Sequence, residues 1–226
     1  MLKEAYIEIY YNSVNELKRY LDRGGSNGMV VREFLERLTV MLSPIMPHVA
    51  EEFWHELGRS TLVVKEPWPV ADDSMINSDE EAIEELIDST LSDIRQGVEL
   101  TSKITSNSGK KVTGINVIIA DDWKTEAYNA LARERNIQKV ISMPPPGGVE
   151  KEKLAKFISQ FAKRASSLVA VPALKSEAIA KGFNDSSRYM SERLGAPVSA
   201  VTESESKSDR ASRALPGKPA IDIIWG

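Results

Sequence analysis

The chain has 226 residues, 42% of them hydrophobic, a formal net charge of −4 at neutral pH and no cysteine. Without cysteine there is no disulfide framework, thiolate metal site or thiol nucleophile, so a reducing compartment, the cytoplasm, is expected. No run of about 20 apolar residues is present, and the amino terminus lacks a basic segment followed by an apolar one. Neither a membrane span nor a targeting segment is predicted.

The net charge hides an asymmetry between the two halves of the chain. Residues 1–112 carry 12 Lys and Arg against 20 Asp and Glu, whereas residues 113–226 carry 17 against 13. Within the second half, residues 151–193 hold nine basic against four acidic side chains. Contact with phosphates is one interpretation, because Lys and Arg neutralise backbone charge and release counterions. A solvated helical face is the other, and composition leaves both open.

The first half has helical periodicity. Apolar residues recur every three or four positions over 2–23, and the glycines of "GGSNG" that follow are typical of a helix end. A second helix is predicted over 30–42 and a third over 47–58, separated by two prolines that remove backbone donors. A long acidic helix is predicted from Ser78, which stands in capping-box spacing with Glu81.

The second half alternates strand and helix patterns. "VTGINVIIADDW" and "APVSAVTE" predict strands, and "ALPGKPAIDIIWG" is interpreted as a tail with a last short strand. Between them, helices are predicted for "TEAYNALARERN", "EKEKLAKFISQFAKRASSL" and "DSSRYMSERLG", the last with Asp185 as cap and Gly195 as terminator.

These patterns predict a fold that is mainly α and then α/β. We expect a helical bundle in residues 1–105, a hinge in 106–112 and a small α/β domain in 113–226, whose tail is 214–226.

Two histidines, His48 and His55, lie seven residues apart on one predicted helix face with two glutamates between them. Their spacing matches neither order of the zinc-protease motif, so packing and polar surface contacts are favoured over a metal site. No phosphate-binding loop, nucleophile elbow or dinucleotide-binding turn is present either. The sequence predicts no catalytic residue, metal ligand or cofactor site in this chain.

"LSPIMPHVAEEFWHELG" followed by "EPWP" strongly resembles the anticodon-binding helical domain shared by the leucine, isoleucine, valine and methionine class I aminoacyl-tRNA synthetases. In that family the run is a helix, a proline bend and a second helix, and the resemblance implies packing roles for Phe53 and Trp54. "DDWK" after a strand and the ending "LPGKPAIDII" look most like the archaeal type of leucyl-tRNA synthetase.

The resemblance implies the carboxyl-terminal part of a longer ligase. The nucleotide-binding and editing domains, together with the use of ATP and Mg, would belong to upstream parts of that enzyme. The implied partner is tRNA-Leu, held by its body and long variable arm, and a monomer without membrane contact is expected. Two alternatives remain: an isoleucyl or valyl enzyme, and a freestanding synthetase-derived module that binds proteins through an acidic face.

The resemblance also points to candidate tRNA-binding residues. In the tail, Pro216 and Pro219 would stiffen the chain, Gly217 would allow close contact, and backbone groups of Ala220, Ile221 and Asp222 would read base edges. The alternative is a terminal strand that only completes the sheet. Removal of residues 216–226 is expected to weaken tRNA binding and leave the fold intact. The candidates for phosphate contact are Lys153, Lys156, Lys163, Arg164, Arg188 and Arg193. In the acidic first half, Arg32 and Arg37 are the candidates for a face that contacts the inner corner of the tRNA.

Overall fold

A computed structural model of the chain describes residues 2–103 and 109–226. The chain divides into two compact units, Met1–Ile76 and Asn77–Gly226. Helices form the first unit and a three-stranded sheet with helices forms the second, which confirms the predicted fold class. Within the described residues, no helix is both long and apolar enough to cross a lipid bilayer.

The first unit begins with a long helical segment that contains one wider turn. Helix α1 spans Leu2–Tyr6, a π-helix spans Ile7–Asn12 and α2 spans Ser13–Asp22. Helix α3 spans Gly28–Leu42 and α4 spans Pro47–Glu56. These bounds confirm the predicted helices and the break between the second and the third.

The helix ends of this unit follow from their residue types. Gly24 has a φ of 87°, and the N–H of Gly25 donates to the carbonyl of Tyr20 at 2.9 Å, which closes a Schellman motif. Pro47 occupies the first turn of α4, where its missing N–H costs no helical hydrogen bond. Gly58, with a φ of 79°, follows the end of that helix.

The core of the first unit lies around an indole. Trp54 is only 5% exposed, and its Nε1 donates to Thr61 Oγ1 at 3.0 Å. Phe53 is 44% exposed, so the packing role implied by the resemblance fits Trp54 and does not fit Phe53 as a buried residue. The buried residues that surround Trp54 are Val40, Ala50 and Val63.

The second unit contains the sheet and the remaining helices. Its helices are α5 (Ser78–Ser102), α6 (Asp122–Glu134), α7 (Ile137–Ser142), α8 (Lys151–Ser159), α9 (Ser176–Asp185) and α10 (Ser187–Leu194). Its strands are β1 (Val112–Ile119), β2 (Val198–Thr202) and β3 (Ala220–Trp225).

The strand order in the sheet is β2-β1-β3. Strand β2 is parallel to the central strand β1, and β3 is antiparallel to it. The register places Asn116 of β1 opposite both Ser199 of β2 and Asp222 of β3. All three predicted strands are confirmed, and β3 forms one outer edge.

One face of the sheet packs against α5, α9 and α10. The contact between two of these helices is close, because a Cβ added at Gly182 of α9 would lie 2.6 Å from the Cγ2 of Ile83 in α5. The buried cluster on this face includes Ile87, Ile94, Ile115, Val117, Phe183, Met190 and Val198. Residues 78–102 therefore pack in the second unit, whereas the sequence grouped them with the helices before them. Residues 106–108 of the predicted 106–112 hinge lie outside the described residues.

Helices α6, α7 and α8 form a second hydrophobic cluster. Trp123 packs edge-on against Phe157, and Phe157 against Phe161, both with ring centroids 5.3 Å apart. On the other face of the sheet, a smaller cluster joins the strands to the segment before the tail through Ile118, Ala120, Ala214 and Ala220.

Three local predictions in this unit need correction. The side chain that caps α5 belongs to Asn77, whose Oδ1 accepts from the N–H of Asp79 at 3.2 Å, and not to Ser78. Asp185 is the last residue of α9 and does not cap α10. The helix predicted over 150–168 is α-helical only to Ser159, after which a 3₁₀ helix spans Ala162–Ser167. Gly195, with a φ of 70°, does end α10 as predicted.

Candidate nucleic-acid interface

The "DDWK" tetrapeptide at the start of α6 binds three distant segments of the second unit. Asp121 Oδ1 accepts from the N–H of Ser204 at 3.1 Å. Asp122 Oδ1 accepts from the N–H of Ser176 at 2.7 Å, and its Oδ2 lies 3.1 Å from Lys175 Nζ. Burial acts to raise the pKa of Asp122, but these hydrogen bonds and the lysine outweigh it and hold that pKa below its ordinary value.

Lys124, the last residue of the motif, is a buried cation that the sequence did not single out. Its Nζ donates to the carbonyls of Ser212 at 3.0 Å and Ala214 at 2.9 Å, and lies 2.8 Å from Glu203 Oε2. Two of the three donors of the ammonium group therefore have backbone acceptors, and the Glu203 carboxylate lies beside the group as an ion-pair partner. Lys124 thereby holds the segment 203–214, which includes the first residue of the tail, against α6.

The tail begins with a tight turn. Leu215 and Lys218 exchange both backbone hydrogen bonds, at 3.0 and 2.9 Å, around Pro216 and Gly217. Gly217 has a φ of 70°, which fits glycine at the third position of a type II turn after proline. Gly217 also lies close to another segment, because an added Cβ would be 3.2 Å from Val171 Cγ1.

The predicted base-reading residues lie in strand β3. Ala220 pairs with Ile118 and Asp222 with Asn116, while the carbonyl of Ile221 accepts from Arg210 Nη1 at 3.1 Å on the far side. Backbone groups in an antiparallel strand alternate in direction, so those of Ala220 and Asp222 point to β1 and those of Ile221 point outward. Of the three, Ile221 presents its backbone to the edge.

Arg210 belongs to a polar cluster at this edge that the sequence did not reveal. Its Nε lies 3.7 Å from Asp222 Oδ1, and Asp222 Oδ2 accepts from Ser208 Oγ at 2.8 Å. Ser208 Oγ in turn accepts from the N–H of Arg210 at 3.2 Å. Only the polar run "SESKSDRASR" marks this segment in the sequence, and nothing in that run indicates that residues 208–210 meet residues 221–222.

Four of the predicted phosphate-contacting residues lie on α8 and the 3₁₀ helix after it. Lys153 Nζ lies 5.3 Å from the ring centroid of Trp123, a cation–π distance. Lys156, Lys163 and Arg164 are exposed, and none of them forms an ion pair within the described residues. These four exposed cations thus lie in one stretch of the chain, residues 153–164.

Arg188 and Arg193 lie on α10, which packs with α5 and α9 against one face of the sheet. Arg188 pairs with Glu192 at 3.0 Å, although its side chain is 91% exposed. The Arg193 guanidinium lies 4.8 Å from the centroid of the Tyr189 ring. These two residues are therefore not part of the basic segment formed by α8 and its 3₁₀ extension.

Arg32 and Arg37 in α3 have intramolecular partners. Arg32 donates to Glu36 Oε1 at 3.0 Å and to the carbonyl of Leu57 at 2.7 Å, and Arg37 donates to Glu33 Oε1 at 2.6 Å. The pKa of Glu36 is held below its ordinary value, chiefly by the hydrogen bond from Arg59 and further by Arg32. A role of Arg32 or Arg37 in tRNA binding stays a prediction.

The two histidines do not come together as a metal site. His48 is exposed, and His55 Nδ1 lies 3.0 Å from the carbonyl oxygen of Arg59. Among the residues that the structure describes, no group of three or more His, Cys, Asp or Glu side chains is arranged to hold a metal ion.

The helical fold of the first half agrees with comparisons to known proteins. The family model described as the anticodon-binding domain of tRNA ligase matches residues 1–113, which is half of the chain. The chain therefore belongs to the family of tRNA ligase anticodon-binding domains, as the resemblance in "LSPIMPHVAEEFWHELG" predicted.

Relatives of the whole chain are leucine–tRNA ligases. The chain is 30% identical to the leucine–tRNA ligase of Aeropyrum pernix over an alignment of 226 residues. The alignment covers 97% of the chain and 22% of the relative. It is 27% identical over 222 residues to that of Methanocaldococcus jannaschii, with 97% and 22% covered. The leucine–tRNA ligase of Thioalkalivibrio sulfidiphilus is 48% identical over 66 residues. The chain thus spans about a fifth of the length of the archaeal relatives it matches.

Proposed function

We propose that this chain is the tRNA-binding carboxyl-terminal part of a leucyl-tRNA synthetase, which attaches leucine to tRNA-Leu with the use of ATP. The observation that carries the proposal is the similarity to archaeal leucine–tRNA ligases over 97% of the chain, well beyond the 1–113 segment that matches the anticodon-binding domain of tRNA ligase. That similarity favours leucine over the isoleucine and valine alternatives and over a freestanding protein-interaction module.

In this proposal the chain recognises tRNA and performs no chemistry. The aminoacylation and editing sites, with ATP and Mg, lie in other domains of the same enzyme. The enzyme is a cytoplasmic monomer, and its partner for this chain is the body and long variable arm of tRNA-Leu.

Binding would be divided between two surfaces of the second unit. Lys156, Lys163 and Arg164 are exposed cations that contact phosphates, and each such contact contributes about 0.7–0.9 to the slope of log affinity against log salt. The tail that begins with the Leu215–Lys218 turn reads unpaired bases at the tip of the arm, because single-stranded RNA is recognised on exposed base edges.

The test is a filter-binding titration of the 226-residue chain with tRNA-Leu that has an intact variable arm and with the same tRNA whose arm is shortened, each at two salt concentrations. We expect preferential binding to the intact arm that persists at the higher salt. Equal binding to both RNAs that disappears with salt would contradict the proposal, since it would reduce the basic segment to a nonspecific patch.

A triple variant separates the phosphate contacts from the arm preference. Lys156→Gln, Lys163→Gln and Arg164→Gln together should weaken binding to both RNAs and lower the salt slope by about 2–3, while the preference for the intact arm is kept. The matched control is Lys139→Gln in the neighbouring helix α7, because Lys139 pairs with Glu134 and should contribute little.

A further inference from the structure

The outer edge of strand β3 carries backbone groups that the sheet does not use. The carbonyl of Ile221 points away from β1, toward Arg210. Residues two apart in a strand have the same orientation, so the N–H and C=O of Ile223 also point to this edge. An outer edge with unpaired groups offers both a donor and an acceptor to a ligand.

At this edge the guanidinium of Arg210 is held in a defined position. It donates to Ile221 O at 3.1 Å, it faces the Asp222 carboxylate at 3.7 Å, and that carboxylate is fixed by the hydroxyl of Ser208 at 2.8 Å. A guanidinium has five N–H donors, and Nη2 has no partner within the described residues. The side chain is 47% exposed, so the remaining donors face solvent.

The neighbouring carboxylate decides which part of an RNA suits this site. Asp222 compensates the charge of Arg210, which weakens attraction to a phosphate. Hydrogen bonding to a neutral base depends less on that charge than on the direction of the donors. Arginine is well suited to this role because its planar fork matches two adjacent acceptors, such as O6 and N7 of a guanine.

We propose that Arg210, together with the outer backbone edge of β3 at Ile221 and Ile223, forms a nucleotide-reading site for an unpaired base that presents two adjacent hydrogen-bond acceptors. This site deepens the proposed function and rests on it. It assigns base recognition to Arg210, to the backbone of Ile221 and to the neighbouring Ile223, whereas the backbone groups of Ala220 and Asp222 are directed to β1.

The test compares the unaltered chain with Arg210→Gln and Arg210→Lys, and with Arg213→Gln as matched control. Arg213 lies in the same segment, is exposed and has no ion pair within the described residues. Both changes at Arg210 should weaken binding to the intact-arm tRNA about tenfold, because lysine keeps the charge but lacks the fork. The loss should be the same at both salt concentrations, thermal unfolding should be unchanged, and Arg213→Gln should stay within about twofold of the unaltered chain.

Single-nucleotide changes in the loop of the variable arm complete the design. The base that Arg210 reads is identified by its replacement: the replacement weakens tRNA binding by the unaltered chain but causes no further loss of binding by Arg210→Gln. The base-reading site would be overturned if Arg210→Lys bound tRNA as tightly as the unaltered chain. It would also be overturned if the variants lost equal affinity for tRNA with the intact arm and tRNA with the shortened arm. If neither variant at Arg210 changes tRNA binding, the edge is not an RNA site, and an added protein strand becomes its occupant. An unaltered chain without arm preference would instead overturn the proposed function, and this site with it.

Discussion

Lys124 and Glu203 form a buried ion pair, with Nζ 2.8 Å from Oε2 and side chains only 3% and 10% exposed. The same ammonium donates to two carbonyls of the segment 203–214, at Ser212 and Ala214. Burial of two charges is costly, and such a pair is tolerated better when further hydrogen bonds compensate it, as the two backbone carbonyls do here for the lysine. The pair therefore holds the 203–214 segment in place.

Removal of Lys124 alone should destabilise the second unit strongly. Lys124→Met leaves the Glu203 carboxylate buried without its cation, which costs about 3–5 kcal/mol. The double variant Lys124→Met/Glu203→Leu should lose less, because no uncompensated charge remains. Urea denaturation followed by amide NMR signals of β1 and β2 reports on this unit.

Lys139→Met is the control for this prediction, since the pair that Lys139 forms with Glu134 is partly exposed, with Lys139 at 58%. A cost of about 0–1 kcal/mol is expected there. Equal losses for the single and the double variant would contradict the buried-charge explanation.

The stability of the second unit should depend on Asp122 at acidic pH. Burial opposes ionisation of Asp122, but the hydrogen bonds from Ser176 and the contact with Lys175 keep its pKa below the ordinary value. A carboxyl whose folded pKa is depressed stabilises the fold above its unfolded pKa, about 3.9, and this contribution is lost as the pH falls through the folded pKa. The difference in stability between the unaltered chain and Asp122→Asn should therefore be constant above about pH 5 and shrink below about pH 4.

The measurement is thermal unfolding of both proteins at a series of pH values from neutral to strongly acidic. A difference that does not change below pH 4 would show that the ionised form of Asp122 contributes nothing to the fold.

Gly217 should not tolerate a side chain. Its φ of 70° is unfavourable for other residues, and a Cβ would lie 3.2 Å from Val171 Cγ1. Gly217→Ala should cost about 1–3 kcal/mol. Gly97→Ala in α5 is the matched control: its Cβ would meet only Ile223 Cδ1 at 3.5 Å, an ordinary contact, so a gain of up to about 1 kcal/mol is expected. Chemical denaturation gives the free energy of unfolding of both variants. An unchanged free energy of unfolding for Gly217→Ala would be evidence against a strained turn.

Truncation before Pro216 should damage the fold, contrary to the expectation from sequence that residues 216–226 are dispensable for it. The deletion removes strand β3 and its pairing with β1 from Ala220 to Trp225, and it uncovers the cluster that includes Ile118. Amide hydrogen exchange of β1 should become faster in the truncated chain. Unchanged protection of β1 would mean that β3 contributes little to the sheet, and truncation would then be a clean test of recognition.

Local patterns in the sequence were sufficient for most of the elements and for the family. The helix break at Pro44 and Pro47, the end of α10 at Gly195 and the strand character of 112–119 follow from residue type and spacing, which act within a few residues. The resemblance in "LSPIMPHVAEEFWHELG" identified the family for the same reason, since a motif is a local pattern. Caps were less certain, because Asn77 and Ser78 are both good capping residues and only the path of the chain selects Asn77.

The site was decided by the tertiary structure. Lys124 donates to a carbonyl 90 residues away, and Arg210 reaches a strand 11 residues further along the chain. Neither contact has a periodicity that a sequence shows. The direction of the Ile221 carbonyl and the packing of α5 against the sheet depend on which strands pair and in what register. Sequence by itself determined most of the helices and strands and the family they belong to, but it missed α7 and α9. Only long-range packing decided which polar groups are buried, which are paired and which remain on the edge of β3.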